Sequence, residues 1–110
     1  MSERNDDVYL KDIMASIEAI EEYLSDVSEE EFIANQMLQD AVVRRFEIIG
    51  EAANHISTQF KDKYPFIEWR LMSDMRNKLI HEYFGINIST LYETAMTSLP
   101  ELKPKILSIL

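Results

Sequence analysis

The sequence contains no cysteine, which excludes disulfide bonds and thiolate metal sites as sources of stability. It also lacks an apolar run long enough to span a bilayer. Its first ten residues, MSERNDDVYL, are acidic rather than signal-like. These absences are typical of a protein of the reducing cytoplasm, so we expect a cytoplasmic location and no membrane contact.

Glycine and proline are scarce, with two and three residues in a chain of 110. So few turn-forming residues, together with 46% hydrophobic residues, favour long helices. The length suits one hydrophobic core rather than two. The composition therefore predicts a single all-α domain over residues 1–110, folded as a compact bundle of four to five helices.

Basic residues are few relative to acidic ones. The chain has 11 Lys and Arg and 20 Asp and Glu, which give it a net charge of −9. Phosphate contacts need local positive potential, so this charge argues against indiscriminate nucleic-acid binding. The imbalance is uneven along the chain. Residues 1–60 hold 4 basic and 14 acidic side chains, whereas residues 61–110 hold 7 and 6. Most of the basic residues therefore lie in residues 61–110, where they are either ordinary surface charge or part of a site.

Apolar residues at helical spacing place the first helices of the bundle. A helix is predicted over about residues 7–25, with Asp6 or Asp7 as its N-cap. Ser28 and Glu31 then form a capping-box pattern. This pattern opens a helical region that runs to about residue 57, with a kink near Asn35.

Turn signals divide the rest of the chain. The segment KDKYP, residues 61–65, closes the second region, since a residue before proline is biased away from helix. A third helix is predicted over about residues 66–83, with Gly85 as its C-cap. Asn87 or Ser89 then caps a fourth helix through residue 99, and a short last helix starts at one of two prolines, Pro100 or Pro104.

The stretch RNKLIHEY, residues 76–83, departs from an ordinary amphipathic helix. With Arg76 at 0° on a helical wheel, four apolar or aromatic side chains fall within about 80° of it: Leu79, Ile80, Tyr83 and Phe84. Asn77 and His81 lie at the edge of this apolar arc. A buried guanidinium is costly unless it is paired. Arg76 must therefore face a buried carboxylate, a subunit interface or a ligand anion.

Two longer segments make the sequence recognisable. The run WRLMSDMRNKLIHEYFGI, preceded by VVRRFEIIGEAANHIS and a Tyr-Pro turn, closely resembles the HepT-like branch of the HEPN-domain proteins. The family's mark is an arginine, four residues, a histidine, one residue and a tyrosine, matched here by Arg76, His81 and Tyr83. The likeness covers about residues 38–102. The chain departs from the family at two positions. Asp74 stands where a small residue is expected, and its carboxylate could damp the positive potential of the site. Tyr92 stands where the family often has tryptophan.

The resemblance implies a metal-independent endoribonuclease toxin that works as a homodimer and needs no cofactor. It implies Arg76 and His81 as catalytic residues, with Asn77 and Tyr83 in support. It further implies a partner, an MntA-like minimal nucleotidyltransferase antitoxin that silences the toxin by adenylylating Tyr83.

The chemistry of RNA cleavage is compatible with this picture. Attack by the 2′-hydroxyl needs a base, an acid for the leaving oxygen and a cation for the phosphorane. No His, Asp or Glu cluster has convincing metal-ligand spacing, which leaves acid–base chemistry. One chain supplies one suitable histidine, whereas a two-fold dimer supplies two copies of His81 and of Arg76. The apolar face of Arg76 would then be a subunit seam.

Other residues carry weaker signals. His55 lies opposite the main stripe of its helix and is expected on the surface. Arg45 falls inside that stripe, where it either pairs with a buried acid or lines the seam. Glu51 is expected to be solvated, the alternative being that it orients Arg76 or His81. The methionines are expected to fill gaps in the core, a set comprising Met37, Met72, Met75 and Met96.

Two alternatives to the enzyme remain open. The first is a non-catalytic helical module that binds or regulates a nucleotidyltransferase, and the second is a purely structural helical dimer. In a purely structural interpretation of the motif, Arg76 forms an intramolecular pair with a glutamate, and His81 is a partly buried histidine without a catalytic role.

Overall fold

Six α-helices form the described part of the chain: α1 (Ser2–Tyr23), α2 (Glu29–Ile33), α3 (Gln36–His55), α4 (Thr58–Lys63), α5 (Trp69–Glu82) and α6 (Ile88–Leu107). The structure, a computed structural model, describes the backbone of residues 2–82 and 87–110 and the side chains of residues 6–77 and 87–110. The predicted all-α class is confirmed. The two helices α2 and α4 are only five and six residues long. Within the described residues, the structure has no helix that is both long and apolar enough to cross a membrane.

The helix α3 lies at the centre of the bundle, between α1 and α5, while α6 packs against α1. The stripe predicted for the first helix is buried along its whole length: Leu10, Ile13, Met14, Ile17, Ile20 and Leu24. Burying each such aliphatic side chain contributes roughly 1.5–3 kcal/mol to folding. The central helix adds its own buried stripe, which includes Val42, Phe46, Ile49, Ala53 and Ile56. The core is therefore the one that hydrophobic periodicity predicts.

The capping box predicted at the start of α2 is present. Ser28 Oγ accepts a hydrogen bond from the Glu31 backbone N–H at 3.1 Å, and Glu31 Oε1 accepts one from the Ser28 backbone N–H at 3.0 Å. The hydrogen bond from the Ser28 backbone, followed by that with its side chain, lowers the pKa of the Glu31 carboxyl. These bonds satisfy backbone donors that the first turn of a helix leaves free.

The kink predicted near Asn35 is a break between two helices. Asn35 has extended backbone, and its side-chain oxygen accepts a hydrogen bond from the Leu38 N–H, which makes it the N-cap of α3. Gln39 in the new helix donates to the carbonyls of Phe32 at 3.0 Å and Ile33 at 2.9 Å. One helix can end and the next begin because side chains supply the hydrogen bonds that the backbone loses.

The helix α4 is not expected from the sequence pattern. It starts after Ser57, whose Oγ accepts a hydrogen bond from the Phe60 N–H at 3.2 Å. The carboxylate of Asp6, only 4% exposed, accepts hydrogen bonds from the backbone N–H and the hydroxyl of Ser57, both at 2.8 Å. Neither Asp6 nor Asp7 caps α1, because that helix begins at Ser2. Asp6 instead ties α1 to the start of α4.

The third predicted helix starts later than expected. The turn after Pro65 includes a hydrogen bond from the Ile67 N–H to the Tyr64 carbonyl at 3.2 Å, and α5 begins at Trp69 rather than near Phe66. The indole N–H of Trp69 donates to the same Tyr64 carbonyl at 3.1 Å. The predicted C-cap, Gly85, lies outside the described residues.

The helix α6 continues through both prolines, so the predicted break at Pro100 or Pro104 is wrong. Both prolines are exposed. Each lacks the N–H that would bond to the carbonyl one turn earlier in the helix, and water can hydrate that carbonyl instead. Of the two candidate caps, Asn87 caps the helix, since its side chain accepts hydrogen bonds from the N–H groups of Ser89 and Thr90.

Two of the four methionines are not in the core. Met72 is buried and Met75 packs against the core, as expected. Met37 is 83% exposed and Met96 46% exposed, which contradicts the prediction for both. Helical spacing alone does not show which part of an apolar stripe a neighbouring helix covers.

Candidate active site

Arg76 lies where α5 meets Gly50 of α3. A Cβ atom added to Gly50 would stand 2.0 Å from Arg76 Cβ, 2.7 Å from the Met72 carbonyl oxygen and 3.0 Å from Arg76 Cγ. Non-bonded carbon atoms prefer a separation of about 3.5–4.0 Å. Only glycine therefore permits this approach of the two helices. Gly50 was not among the predicted site residues, although a glycine inside a strongly periodic helix indicates a packing requirement.

This contact explains why the sequence places an arginine in an apolar arc. The aliphatic stem of Arg76 packs on the α3 backbone, as long charged side chains commonly do along apolar surfaces. Trp69 and Met72, which share the arc, are 7% and 6% exposed. The part of the arc formed by Trp69, Met72 and Arg76 is thus covered by the chain's own α3. The burial of this part does not require a subunit seam, and the homodimer remains a prediction on other grounds.

The guanidinium group of Arg76 is incompletely satisfied. Its Nη1 donates to Asn77 Oδ1 at 3.2 Å, whereas its Nε is buried and has no hydrogen-bond partner among the described residues. None of the ion pairs among those residues involves Arg76, so the intramolecular pair with a glutamate is not found there. A buried unpaired donor destabilises a fold by about 1–3 kcal/mol. The guanidinium therefore keeps one donor that makes no hydrogen bond to the described residues.

The other motif residues are only partly described. Asn77 is exposed and holds the tip of the guanidinium, consistent with its predicted supporting role. His81 belongs to α5 by its backbone, five residues or roughly 7.5 Å along the helix axis from Arg76. The His81 side chain and the whole of Tyr83 lie outside the described residues.

The two departures from the family pattern lie apart from the guanidinium. The Asp74 carboxylate is 3.9 Å from Arg70 Nε, and the two side chains are 64% and 95% exposed. Such a solvated pair contributes about 0–1 kcal/mol. The Tyr92 hydroxyl donates to the Val27 carbonyl at 2.7 Å, and its ring centroid is 5.5 Å from that of Phe32. Tyr92 therefore anchors α6 to the segment around α2.

Arg45 does not pair with a buried acid among the described residues, which contradicts one of the two alternatives considered for it. Its Nε donates to the Tyr23 hydroxyl at 3.3 Å. Its partner is thus a partly buried phenol at the end of α1, rather than a buried acid. The bond joins α3 to α1 on the side of the bundle where those helices pack.

His55 and Glu51 lie in a polar groove of about 280 Å³ between α1 and α3, which is also lined by Tyr9, Asp12, Arg44, Ile48 and Ala52. His55 is exposed, as predicted, and its ring centroid is 5.1 Å from that of Tyr9. Glu51 is also exposed, as expected of a solvated residue. Within residues 6–77 and 87–110, these side chains do not form part of any group able to hold a metal ion.

A second groove, mostly apolar and also about 280 Å³, runs between α5 and α6 over α3. Its floor and walls include Phe46, Ile49, Leu71, Met75 and Leu102, and its charged lining residues are Glu68 and Glu101. Arg76 and Asn77 do not line it. Met72, which shares the apolar arc with Arg76, does line the groove, so the groove lies next to the candidate site.

A family comparison covers most of the chain. Residues 13–109 match the family model described as ribonuclease HepT-like. The match extends well beyond residues 38–102, where the resemblance is apparent by inspection.

Individual relatives agree with this match. A protein of Thermococcus cleftensis named "Probable ribonuclease HepT" is 45% identical over 97 residues, which are 88% of each chain. A Methanocaldococcus jannaschii protein, provisionally named an RNase, is 39% identical over 106 residues, 96% of this chain and 97% of the relative.

Another M. jannaschii relative, whose name joins gamma-glutamylcyclotransferase to a provisional RNase, is 44% identical over 103 residues, 94% of this chain. These residues are 46% of that relative, so the chain spans about half of its length. No solved structure matches the chain significantly. The family model and the relatives together show that this chain belongs to the HepT-like ribonuclease family.

Proposed function

We propose that the protein is the endoribonuclease toxin of a HepT/MntA-type toxin–antitoxin pair, acting on RNA in the cytoplasm without a metal ion. Membership of the HepT-like family supports a ribonuclease activity. The observation that carries the proposal is the Arg76 guanidinium. Its Nε–H is buried without a partner among the described residues, and it lies on the same helix as His81. A guanidinium group is well suited to pair with an anionic phosphate.

In the proposed reaction, two protomers contribute to each cleavage. His81 of one protomer takes the proton of the RNA 2′-hydroxyl, and the resulting oxygen attacks the adjacent phosphorus. The bond from phosphorus to the 5′-oxygen breaks, and that oxygen receives a proton from His81 of the other protomer. Arg76 stabilises the charge on the phosphorane. The products are a 2′,3′-cyclic phosphate and a 5′-hydroxyl.

The proposed regulation acts on Tyr83. A phenol is a plausible AMP acceptor because its oxygen can be deprotonated during transfer. An MntA-like nucleotidyltransferase would attach AMP and release pyrophosphate from ATP. The attached phosphodiester would bring negative charge and a bulky base to a motif that must otherwise accept RNA, and Arg76 would pair with it. Inhibition would thus occur without unfolding.

The nuclease proposal is tested on purified protein with matched RNA and DNA oligonucleotides. We expect cleavage of RNA only, unchanged by EDTA, with 2′,3′-cyclic phosphate ends detected by mass spectrometry. Loss of cleavage in EDTA would overturn the metal-independent mechanism. Cleavage of DNA at a similar rate would exclude the 2′-hydroxyl as nucleophile.

Variants of the motif separate the enzyme from a non-catalytic module. Arg76→Ala and His81→Ala should each lower the rate by about 10²-fold or more, while circular dichroism and partner binding stay unchanged. The matched control is His55→Ala, at an exposed position in the groove between α1 and α3, and this variant should retain activity. A wild-type protein that binds a nucleotidyltransferase but cuts no RNA would instead support the regulatory module.

A further inference from the structure

We propose that Gly50 is a positioning residue, which fixes the guanidinium of Arg76 for its contact with the scissile phosphate. This inference rests on the role proposed for Arg76 in RNA cleavage. It adds a residue on a different helix, outside the motif, whose contribution is the absence of a side chain.

Gly50 stands where glycine is locally unfavourable. It lies five residues before the end of α3 and is buried between Ile49 and the nearby Ala53, both core residues. Apart from proline, glycine is the least favourable residue in a helix interior, so it calls for a packing reason there. The atoms that a Gly50 side chain would meet supply that reason: two of the three nearest belong to Arg76.

The Arg76 side chain is held at both ends. Its Cβ and Cγ rest on the surface that Gly50 leaves open, and its Nη1 bonds to Asn77 Oδ1 at 3.2 Å. Between these two contacts lies the buried Nε, whose donor has no partner among the described residues. Fixing a long, flexible side chain before the substrate arrives removes an entropy cost from binding and from the transition state.

A methyl group at Gly50 would disturb this arrangement directly. To restore ordinary van der Waals contact from 2.0 Å, the Arg76 Cβ would have to move by about 1.5–2 Å. Misplacing a catalytic group by about 1 Å can lower a rate by about 10²-fold. The obstacle includes the Met72 backbone carbonyl, so side-chain rotation alone does not relieve it.

The first test uses the unmodified protein and needs no RNA. NMR relaxation of arginine Nε–H groups compares Arg76 with Arg70, which lies on the same helix and is 95% exposed. We expect an order parameter near 0.85 for Arg76, as for rigid backbone, and below about 0.6 for Arg70. An Arg76 side chain as mobile as that of Arg70 would overturn the inference.

The second test compares Gly50→Ala with Ile49→Val, an adjacent α3 substitution that trims a core residue on the side of the apolar groove. Both are assayed on a mixed-sequence RNA oligonucleotide below their melting temperatures. Gly50→Ala should lower kcat by about 10–100-fold with KM changed less than about threefold, and should shift the Arg76 Nε–H signal. Ile49→Val should keep kcat and that signal.

The outcomes separate this inference from the proposed function. If the wild type cuts RNA and Gly50→Ala has the same kcat, only the positioning role fails. If the wild type cuts no RNA, the nuclease proposal fails, and the Nε–H comparison still decides whether Arg76 is held. If Gly50→Ala does not fold, the wild-type comparison of Arg76 with Arg70 decides alone.

Discussion

The side chain of Arg76 divides into two parts with different surroundings. Its stem packs on α3 at Gly50, and its Nε is buried without a partner among the described residues. A stem buried in this way stabilises the fold, whereas the orphan donor destabilises it. Local rules are commonly violated at functional sites, where a ligand completes the missing contact. Lysine does not replace such a residue, because it has no donor partway along its stem.

At the same scale, Tyr83→Phe should keep much of the fold while escaping neutralisation by an active nucleotidyltransferase. Only the hydroxyl that accepts AMP is removed. Mass spectrometry after co-expression should show AMP adducts on the wild type and none on the variant. Wild-type protein that is fully silenced without modification at Tyr83 would show inhibition by occlusion and would contradict the proposed regulation.

At the scale of elements, short helices depend on side chains from other parts of the chain. The six-residue α4 is too short to be stable by itself. Asp6 of α1 binds its N-cap residue, Ser57, through both carboxylate oxygens. A bond between residues 51 positions apart therefore fixes where the chain leaves α3.

Asp6→Ala should lower the free energy of unfolding by about 1–3 kcal/mol, since the partly buried Ser57 N–H loses its acceptor. The matched control is Asp7→Ala. Asp7 is 57% exposed and forms only an i,i+4 pair with Lys11 at 2.9 Å, worth about 0.5 kcal/mol or less. Urea unfolding followed by circular dichroism measures both. Equal effects of the two substitutions would refute the buried link.

The helix α6 contains a second element-scale feature, the exposed prolines that fail to break it. Pro100→Ala should stabilise the protein by about 1–2 kcal/mol, because alanine restores a helical N–H and its gain exceeds the loss of chain stiffness in the unfolded state. Thermal unfolding should show a higher Tm. The neighbouring Glu101→Ala, which leaves the backbone hydrogen bonds unchanged, should shift stability by less than about 0.5 kcal/mol. An unchanged or lower Tm for Pro100→Ala would contradict this account.

At the scale of the whole molecule, the acidic charge and the single motif histidine constrain the active form. A chain with net charge −9 does not attract RNA as a whole, so recognition must be local. Its other histidine, His55, lies in the α1/α3 groove with Tyr9 and is not part of α5's motif. In the proposed mechanism, the base and the acid are therefore His81 residues of two chains.

Sedimentation equilibrium at micromolar concentration should accordingly give about twice the 12.9 kDa chain mass. Adding excess His81→Ala chains to the wild type should lower its activity, because a mixed dimer supplies only one of the two histidines that the mechanism uses. A protein that remains monomeric while cleaving RNA would contradict the two-protomer mechanism.

The sequence by itself determines the approximate positions of the long helices and which face of each is apolar, because both follow from local propensity and spacing. It therefore predicts the α1 stripe, the Ser28 capping box, the Asn87 cap and the Arg76 motif. Several predictions drawn from local rules alone fail, among them those for Met37, which is solvent-exposed, and for Pro100, which does not break α6.

Only the tertiary structure decides contacts between residues distant in the chain. Asp6 of α1 bonds to Ser57 at the start of α4 rather than capping its own helix, and Arg45 bonds to Tyr23 rather than to an acid. The close approach of α3 and α5 explains why Arg76 lies on an apolar face, because Gly50 leaves room for the aliphatic stem of the arginine. The spacing of residues along α5 does not show how closely α3 approaches at Gly50, since the distance between two helices is set by packing.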